Sequence, residues 1–379
     1  MTSRERVLNA LSREKTDRIP VHYEGTPEVN HTLLDALDME NMEQLRHALG
    51  EDLRYVEPDY VGPELRTYPD GSVEGYWGER YKHKPYDGGA YLEPVHLPFE
   101  NVFELKDLDE SRFPTADRFR YDNFREKCRA FGDQYALCIG SAGDMDFINS
   151  IGRARGMEQV LIDLYTDDPV YLRIMDARFR FYYDTHERLL QAADGLVDIA
   201  HIGEDLGNQN GPMISMEIFE KHFAPRLEKY FSMVHSYGAR TMMHMCGTVD
   251  RFLPRLIDLG LDIQDVVQPT TPAMDIGALK TSFGEKLSFC GSMCVQSTLP
   301  HGTVEDVRRE TDRRLRLFDR GGMILGPTHA IQVGTPVDNI LEIYRTAGSL
   351  ASSEKMEVIR RTVHGDPAEA HTINMSKLF

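Results

Sequence analysis

From about residue 118 onward, apolar runs with strand character alternate with amphipathic stretches of helical spacing. Runs such as 135–143, 240–247 and 322–329 end in small or polar residues, and a segment with helical periodicity follows each one. Strands that alternate with helices pair in parallel. Two earlier runs, 17–25 and 52–58, bring the predicted strands to eight. The pattern predicts a (β/α)8 TIM barrel of the α/β class, with a doubly wound open sheet as the alternative.

Residues 62–100 break this alternation, because they are rich in Tyr, Gly and Pro and contain the single tryptophan, Trp77. The segment P-D-G-S at 69–72 lies between β-prone runs and predicts a tight turn. We expect a small β-hairpin inserted into one domain that spans residues 1–379. No G-x-G-x-x-G sequence follows an early strand, so a dinucleotide-binding open sheet gains no support.

The composition limits the partners and the location of the chain. Its 61 acidic and 43 basic residues give a formal net charge of −18, which argues against nucleic-acid binding because that needs a basic surface. No run of about 18 apolar residues is present, so no membrane association is expected. The charged N-terminal segment is unlike a signal peptide, and five cysteines in 379 residues do not suggest a disulfide framework. We therefore expect a cytoplasmic protein with free or metal-bound thiols.

Polar side chains lie at or just after the carboxyl ends of the predicted strands. In a TIM barrel, the loops at the carboxyl ends of the strands build the active site, so these side chains are the candidates for catalysis and binding. They are, strand by strand, His22 and Glu24; Asp144 and Asp146; His201, Glu204, Asp205 and Gln209; His244 and Cys246; Gln264, Asp265 and Gln268; Cys290 and Cys294; and His329 and Gln332.

A histidine and a cysteine stand two residues apart on the fifth predicted strand. Because side chains alternate along a strand, His244 and Cys246 point to the same face. Zinc binds Cys sulfur and His nitrogen in tetrahedral sites, and catalytic sites keep one position open. The alternative is a buried cysteine that packs as a small apolar side chain beside a hydrogen-bonded histidine. A third ligand would come from another strand, and the candidates are His329, Cys290, Cys294, Glu204 and Asp265.

Four segments of the chain resemble the uroporphyrinogen decarboxylase superfamily. They are RERVLNALSREKTDRIPV near the N-terminus and, later, HMCGTVDRFLPRLIDLGLD, FCGSMCVQSTLPHGTVEDV and GGMILGPTHAIQVGTPVDNI. The resemblance covers roughly residues 4–350 and implies a (β/α)8 barrel. True decarboxylases hold the carboxylates of their tetrapyrrole with an R-Q-A-G-R-Y block, and that block is absent here. Its absence speaks against decarboxylation of uroporphyrinogen.

The chain looks closer to the zinc-dependent corrinoid methyltransferases of this superfamily. Those enzymes bind zinc through an H-x-C pair, which His244 and Cys246 match, and a later cysteine in a G-P-G-C-G block. The corresponding block here reads GPTHAI, so His329 stands where the relatives have the cysteine. One thiolate and two neutral histidines leave zinc with a net charge of about +1, which suits an oxygen better than a thiol. The resemblance therefore implies methyl transfer from a small O-methyl substrate to a corrinoid.

The resemblance also implies cofactors, partners and residue roles. The chain lacks the D-x-H-x-x-G segment of B12-binding domains, so the corrinoid is expected on a partner protein, and the family commonly forms homodimers. The competing hypotheses are a lyase that decarboxylates a small acid or a tetrapyrrole, with or without metal, and a barrel that only binds a corrinoid or tetrapyrrole. The predicted roles are zinc binding for His244, Cys246 and His329, a fourth ligand or general acid for Glu204, catalysis or substrate orientation for Asp205, and substrate contacts for His22, Glu24, Asp146, Gln209 and Gln332.

Overall fold

A computed structural model of the chain describes residues 1–365, and the tail 366–379, which the predicted single domain includes, lies outside the described residues. The helices are α1 (Ser3–Leu11), α2 (Pro27–Leu37), α3 (Met42–Leu49), α4 (Phe124–Ala130), α5 (Asn149–Arg155), α6 (Met157–Thr166), α7 (Pro169–Ala193), α8 (Met216–Ile218), α9 (Ala224–Ser236), α10 (Leu253–Leu259), α11 (Ile276–Phe283), α12 (Thr298–His301), α13 (Val304–Leu317), α14 (Val337–Thr346) and α15 (Ser353–Thr362). The strands are β1 (Leu53–Tyr55), β2 (Asp59–Tyr60), β3 (Val73–Glu74), β4 (Arg80–Tyr86), β5 (Gly89–His96), β6 (Phe119–Arg120), β7 (Ala136–Gly140), β8 (Ile199–Gly203), β9 (Arg240–His244), β10 (Ile263–Asp265), β11 (Ser288–Met293) and β12 (Met323–Pro327). Three short 3-10 helices cover Leu105–Asp107, Glu110–Arg112 and Ala116–Arg118, and a π-helix covers Phe219–Phe223.

Seven parallel strands form one curled sheet in the order β1, β7, β8, β9, β10, β11, β12. From β7 onward, at least one helix follows each of these strands in the chain. Strands β8, β10, β11 and β12 are buried along their whole length, as expected for a parallel sheet covered on both faces. The alternation of strands and helices predicted from the sequence is confirmed.

The first predicted strand, residues 17–25, differs from the expectation because it forms only isolated bridges. Val21 bridges to Leu325 of β12 on one side, and on the other side its carbonyl accepts from the N–H of Asp52 at 3.0 Å. The N–H of Val21 donates to the side-chain carboxylate of Asp52 at 2.8 Å instead of to a backbone carbonyl. The segment therefore links the two edge strands of the sheet by hydrogen bonds. One of these bonds goes to the side-chain carboxylate of Asp52, where a regular strand would bond to a backbone carbonyl.

Residues 62–100 contain a separate three-stranded antiparallel sheet in the order β3, β4, β5. A turn at the predicted P-D-G-S segment precedes it, where the N–H of Gly71 donates to the carbonyl of Tyr68 at 2.9 Å. Strands β4 and β5 form a hairpin whose tip is Asp87–Gly88. The chain enters this region from the carboxyl end of β1, so the small sheet belongs to the same side as the strand-end residues. Its status as an insertion stays a prediction.

The amino-terminal side of the curled sheet is filled by an apolar cluster. Val7 and Leu11 of α1 pack there with side chains from the sheet strands, including Cys138, Met242 and Cys290. A larger apolar cluster joins the sheet to the helices. Within residues 1–365, no helix is long and apolar enough to cross a membrane.

Candidate metal centre

Three predicted ligands meet at the carboxyl end of the sheet. His244 ends β9, Cys246 lies in the loop after it, and His329 follows β12. Their ligand atoms all lie within 4.8 Å of one another, and His244 Nε2 is 3.2 Å from Cys246 Sγ. The rings of His244 and His329 lie 5.9 Å apart between centroids, nearly perpendicular to each other. His244 is buried, Cys246 is half-buried and His329 is exposed, so solvent reaches the group from the His329 side.

The ring of His244 is oriented from behind by a carboxylate. The register of β9 and β10 pairs Asp265 with His244, and Asp265 Oδ2 lies 2.9 Å from His244 Nδ1. A carboxylate on one imidazole nitrogen holds a proton there and leaves the lone pair of the other nitrogen for a ligand. The lone pair of Nε2 then faces Cys246 and His329.

The close approach of these side chains shifts their pKa values. Burial lowers the pKa of His244, but the nearby Cys246 and Asp265 outweigh this and raise that pKa well above its ordinary value. Burial raises the pKa of Asp265, but hydrogen bonds with His201 and His244 outweigh this and hold the pKa well below its usual range. Burial likewise raises the pKa of the Cys246 thiol, against the opposing effect of His244.

The donor set fits zinc. Nitrogen and sulfur donors in a group of three protein ligands with access on one side are typical of catalytic zinc sites. A second group of candidate donors, formed by His201, His244 and Asp265, overlaps the first at His244. In that second group the carboxylate contacts Nδ1 of His244 directly, so it supports the ligand and does not compete for the metal.

Glu204 lies near this group but is held by backbone. Its carboxylate accepts from the N–H groups of Phe147 at 2.7 Å and Ile148 at 3.3 Å. Burial, followed by repulsion from Asp146, raises the pKa of Glu204 well above its usual range. The structure does not place it among the converging donors of the metal group.

Asp205 contacts the backbone of a ligand. Its Oδ1 accepts from the N–H of Cys246 at 2.8 Å, and its Oδ2 accepts from the Asn149 amide at 2.8 Å. The next residue, Gly247, has φ of 76°, and a Cβ there would lie 2.6 Å from the backbone of Asn208. The turn after β9 is therefore tightly constrained and needs glycine at this position.

The predicted substrate residues on the first segment and after β12 lie on neighbouring pieces of chain. His22 is half-buried, and its Nδ1 lies 2.9 Å from Glu51 Oε1. Glu24 is exposed, and its carbonyl accepts from the N–H of the residue before Gln332. Gln332 accepts at its Oε1 from the hydroxyl of Tyr91 at 2.6 Å. We call the edge formed by residues 22–24 and the loop after His329 the rim, and these side chains lie on it.

The two remaining predicted substrate residues have different surroundings. Asp146 is buried and accepts from the Asn149 N–H at 2.9 Å and the Ser150 hydroxyl at 3.0 Å, so it serves the start of α5. Gln209 is exposed in the loop after β8, and the structure does not bring it into the group of metal donors.

Sequence reasoning missed one residue of the site. Tyr55 ends β1, and its hydroxyl lies 3.0 Å from Nδ1 of His201, which in turn lies near Asp265. A tyrosine at a strand end is common in apolar cores, so its type alone does not single it out. Its position at the end of a sheet strand is the signal that could have indicated it.

Comparisons with known proteins agree with this architecture. Residues 95–350 match the family described as Uroporphyrinogen decarboxylase (URO-D). Comparison with curated proteins finds no matching sequence. A solved methyltransferase from Methanosarcina mazei aligns with a TM-score of 0.61 at 17% identity, over 92% of this chain and 98% of that chain. D-Psicose 3-epimerase from Clostridium cellulolyticum H10 aligns with a TM-score of 0.34 at 12% identity, over 66% of this chain and 83% of that chain. The first alignment shows a shared fold over nearly the full length of both chains.

Proposed function

The chain belongs to the uroporphyrinogen decarboxylase family, and within that family we propose that it is a zinc-dependent methyltransferase. It moves a methyl group from a small O-methyl substrate to a corrinoid carried by a separate protein. The observation that carries the proposal is the arrangement of His244, whose Nδ1 lies against Asp265 while its Nε2 lies 3.2 Å from Cys246 Sγ. A decarboxylase that works without metal has no need for such converging donors.

His244, Cys246 and His329 would hold the zinc ion. Bound by one thiolate and two neutral histidines, zinc supplies a Lewis acid of net charge about +1 that polarises an oxygen. In the transfer, the bond between the methyl carbon and the substrate oxygen breaks, and the oxygen keeps the electron pair and takes a proton from water. The methyl group would pass to the corrinoid on the partner protein, which would supply the electron pair of the new bond to the methyl carbon.

The other side chains of the site have supporting roles in this proposal. Asp265 orients His244, and Asp205 holds the backbone of Cys246. Glu204 stabilises the loop after β7 through its backbone contacts and is not proposed as a fourth ligand. The rim residues His22, Glu24 and Gln332 are the proposed contacts for substrate.

The second candidate function is a lyase that decarboxylates a small acid, which the description of the family favours. Such an enzyme needs free cations to hold carboxylates. Arg18, the arginine beside the first sheet segment, is already engaged with the carboxylate of Asp52 and the carbonyls of Ile19 and Gly50. Arg18 is therefore not free to hold a substrate carboxylate.

Metal analysis combined with turnover tests the proposal. We expect the purified protein to contain zinc and to methylate a reduced corrinoid protein when supplied with small methyl ethers. His244→Ala should lose both the metal and the activity, because it removes the buried ligand. His31→Ala, which changes an exposed histidine of α2, is the matched control and should keep both.

Two results would decide against the methyltransferase. Full retention of zinc by His244→Ala would show that the metal lies elsewhere. Release of carbon dioxide from a small acid by zinc-free protein, at the same rate as by zinc-loaded protein, would establish the lyase.

A further inference from the structure

Behind the candidate metal centre, buried polar side chains form a continuous line across the inside of the sheet. The hydroxyl of Tyr55 lies 3.0 Å from Nδ1 of His201. Nε2 of His201 lies 3.2 Å from Oδ2 of Asp265, and the same oxygen lies 2.9 Å from Nδ1 of His244. Tyr55, Asp265 and His244 end β1, β10 and β9, and His201 lies in the middle of β8, so four strands contribute to one line of contacts. His201 and Asp265 are both more than nine-tenths buried.

The direction of the hydrogen bonds along this line follows from the chemistry of its members. Neutral imidazole carries a proton on one nitrogen and a lone pair on the other. If His201 donated from Nδ1 to Tyr55, its Nε2 lone pair would face the carboxylate of Asp265, and two acceptors would repel each other. The favourable arrangement has the Tyr55 hydroxyl donating to Nδ1, which leaves the proton of His201 on Nε2. That nitrogen lies 3.2 Å from Asp265 Oδ2, a close polar contact that is not aligned as a hydrogen bond.

The same reasoning extends to the ligand. Asp265 Oδ2 hydrogen-bonds to Nδ1 of His244 at 2.9 Å, and Nε2 of His201 packs against the same oxygen at 3.2 Å. His244 is thereby held with its proton on Nδ1 and its lone pair on Nε2, the atom that faces Cys246. Groups that orient a metal ligand from behind fix its tautomer and its ring plane.

We propose that Tyr55 and His201 are positioning residues of the metal centre, which act through Asp265 on His244. Neither side chain contacts the metal or the substrate in this scheme. The inference rests on the proposed function only in that a metal binds at His244, Cys246 and His329. It adds that the affinity and geometry of this site depend on the Tyr55 hydroxyl, which is separated from the ligand His244 by the side chains of His201 and Asp265.

A second tyrosine–histidine–aspartate line in the fold provides a matched comparison. The hydroxyl of Tyr230 lies 2.6 Å from Nδ1 of His186, and Nε2 of His186 lies 2.9 Å from Oδ2 of Asp144. Tyr230 and His186 are buried, as His201 is. This line ends at Asp144, which bonds to Ser141 and does not belong to either group of candidate metal donors.

The experiment compares Tyr55→Phe with Tyr230→Phe, since each removes one buried hydroxyl from a tyrosine that contacts a histidine. Zinc affinity is measured by competition with a chelator, and geometry by the visible absorption of the Co(II)-substituted protein. Loss of a group that directly supports a ligand lowers metal affinity about 10–100-fold. Tyr55 acts through both His201 and Asp265, so we expect a loss of up to about tenfold and a shifted Co(II) spectrum. Tyr230→Phe should match the wild-type protein in both.

A second pair of variants tests the donor role of His201. In His201→Gln, an amide oxygen can accept from Tyr55 and an amide N–H can donate to Asp265, so zinc affinity should be largely kept. His201→Leu removes both functions and should weaken zinc binding more than Tyr55→Phe does. Equal affinities in the two His201 variants would contradict the donor role.

The outcomes separate this inference from the proposed function. If wild-type protein binds zinc and Tyr55→Phe binds it equally tightly, the positioning role is wrong while the zinc proposal stands. If Tyr230→Phe loses as much affinity as Tyr55→Phe, the effect is general destabilisation and the inference is again overturned. If wild-type protein binds no zinc, both proposals fail.

Discussion

At the scale of single residues, Asp205 stabilises the loop that carries a ligand. Its carboxylate accepts from the N–H of Cys246 and from the amide of Asn149, both at 2.8 Å. A hydrogen bond to a charged acceptor contributes about 1.5–3 kcal/mol. We expect Asp205→Ala to loosen the Cys246 backbone and to weaken zinc binding about tenfold, as the loss of a group that hydrogen-bonds to a metal ligand does. Chelator competition measures the change.

Asp205→Asn is the control for this prediction, because its amide oxygen can still accept from the N–H of Cys246. It should bind zinc with nearly wild-type affinity. If both Asp205 variants keep zinc but lose methyl transfer, Asp205 acts on the substrate, which is the catalytic role predicted from the sequence.

The proximity of His244 and Cys246 was predictable from the sequence, but the contacts that lie behind them were not. Alternation along a strand predicted that His244 and Cys246 share a face, and their ligand atoms lie 3.2 Å apart. The contact of Asp265 with His244 depends on the register between β9 and β10, which one sequence does not reveal. The contact of Tyr55 with His201 joins side chains 146 positions apart, and their distance in the chain gives no indication of it.

At the scale of elements, the hairpin of β4 and β5 reaches the loop that carries His329. The hydroxyl of Tyr91 donates to Gln332 at 2.6 Å. At the tip, a Cβ added to Gly88 would lie 2.6 Å from Val333, so the hairpin and the loop are in close contact. The hairpin therefore restrains the part of the rim that follows the exposed ligand.

Tyr91→Phe should release this restraint. The hydroxyl bond contributes about 0.5–1.5 kcal/mol, so we expect a severalfold rise in proteolytic cleavage at the hairpin tip. Zinc should also dissociate faster, because His329 is the exposed ligand. Limited proteolysis and zinc release to a coloured chelator give the two rates. Tyr68→Phe, which removes a hydroxyl near Glu74 in the same region, should change neither rate. Unchanged rates in Tyr91→Phe would mean that the hairpin does not restrain the loop.

At the scale of the whole molecule, the strand–helix alternation was sufficient to predict a parallel α/β sheet. It overstated the regularity of residues 17–25, because the pattern of apolar residues does not show which groups take the backbone hydrogen bonds. Pro20 in this segment has no N–H to donate, and the N–H of Val21 bonds to a side chain. Sequence reasoning therefore located the segment but did not anticipate that a carboxylate completes its bonding.

That carboxylate, Asp52, connects three parts of the chain where the edge strands meet. It is fully buried and accepts from Arg6 of α1 at 2.6 Å, from Arg18 at 2.7 Å and from the N–H of Val21 at 2.8 Å. Removal of one partner from a buried ion pair costs about 3–5 kcal/mol. Without Asp52, Arg6 would keep Asp17, but Arg18 would keep the neutral carbonyls of Ile19 and Gly50. Asp52 therefore stabilises the closure of the sheet as well as a local contact.

We expect Asp52→Asn to lower the free energy of unfolding by about 3 kcal/mol or more, measured by urea denaturation. The control is Asp17→Asn, which removes another carboxylate partner of Arg6. Asp17 is 46% exposed, and exposed ion pairs contribute about 0–1 kcal/mol, so its loss should be small. Equal losses in the two variants would show that the closure of the sheet does not depend on the buried carboxylate. A large loss in Asp52→Asn alone would show that the stability of the whole sheet depends on this side chain, which accepts the Val21 N–H in place of a backbone carbonyl.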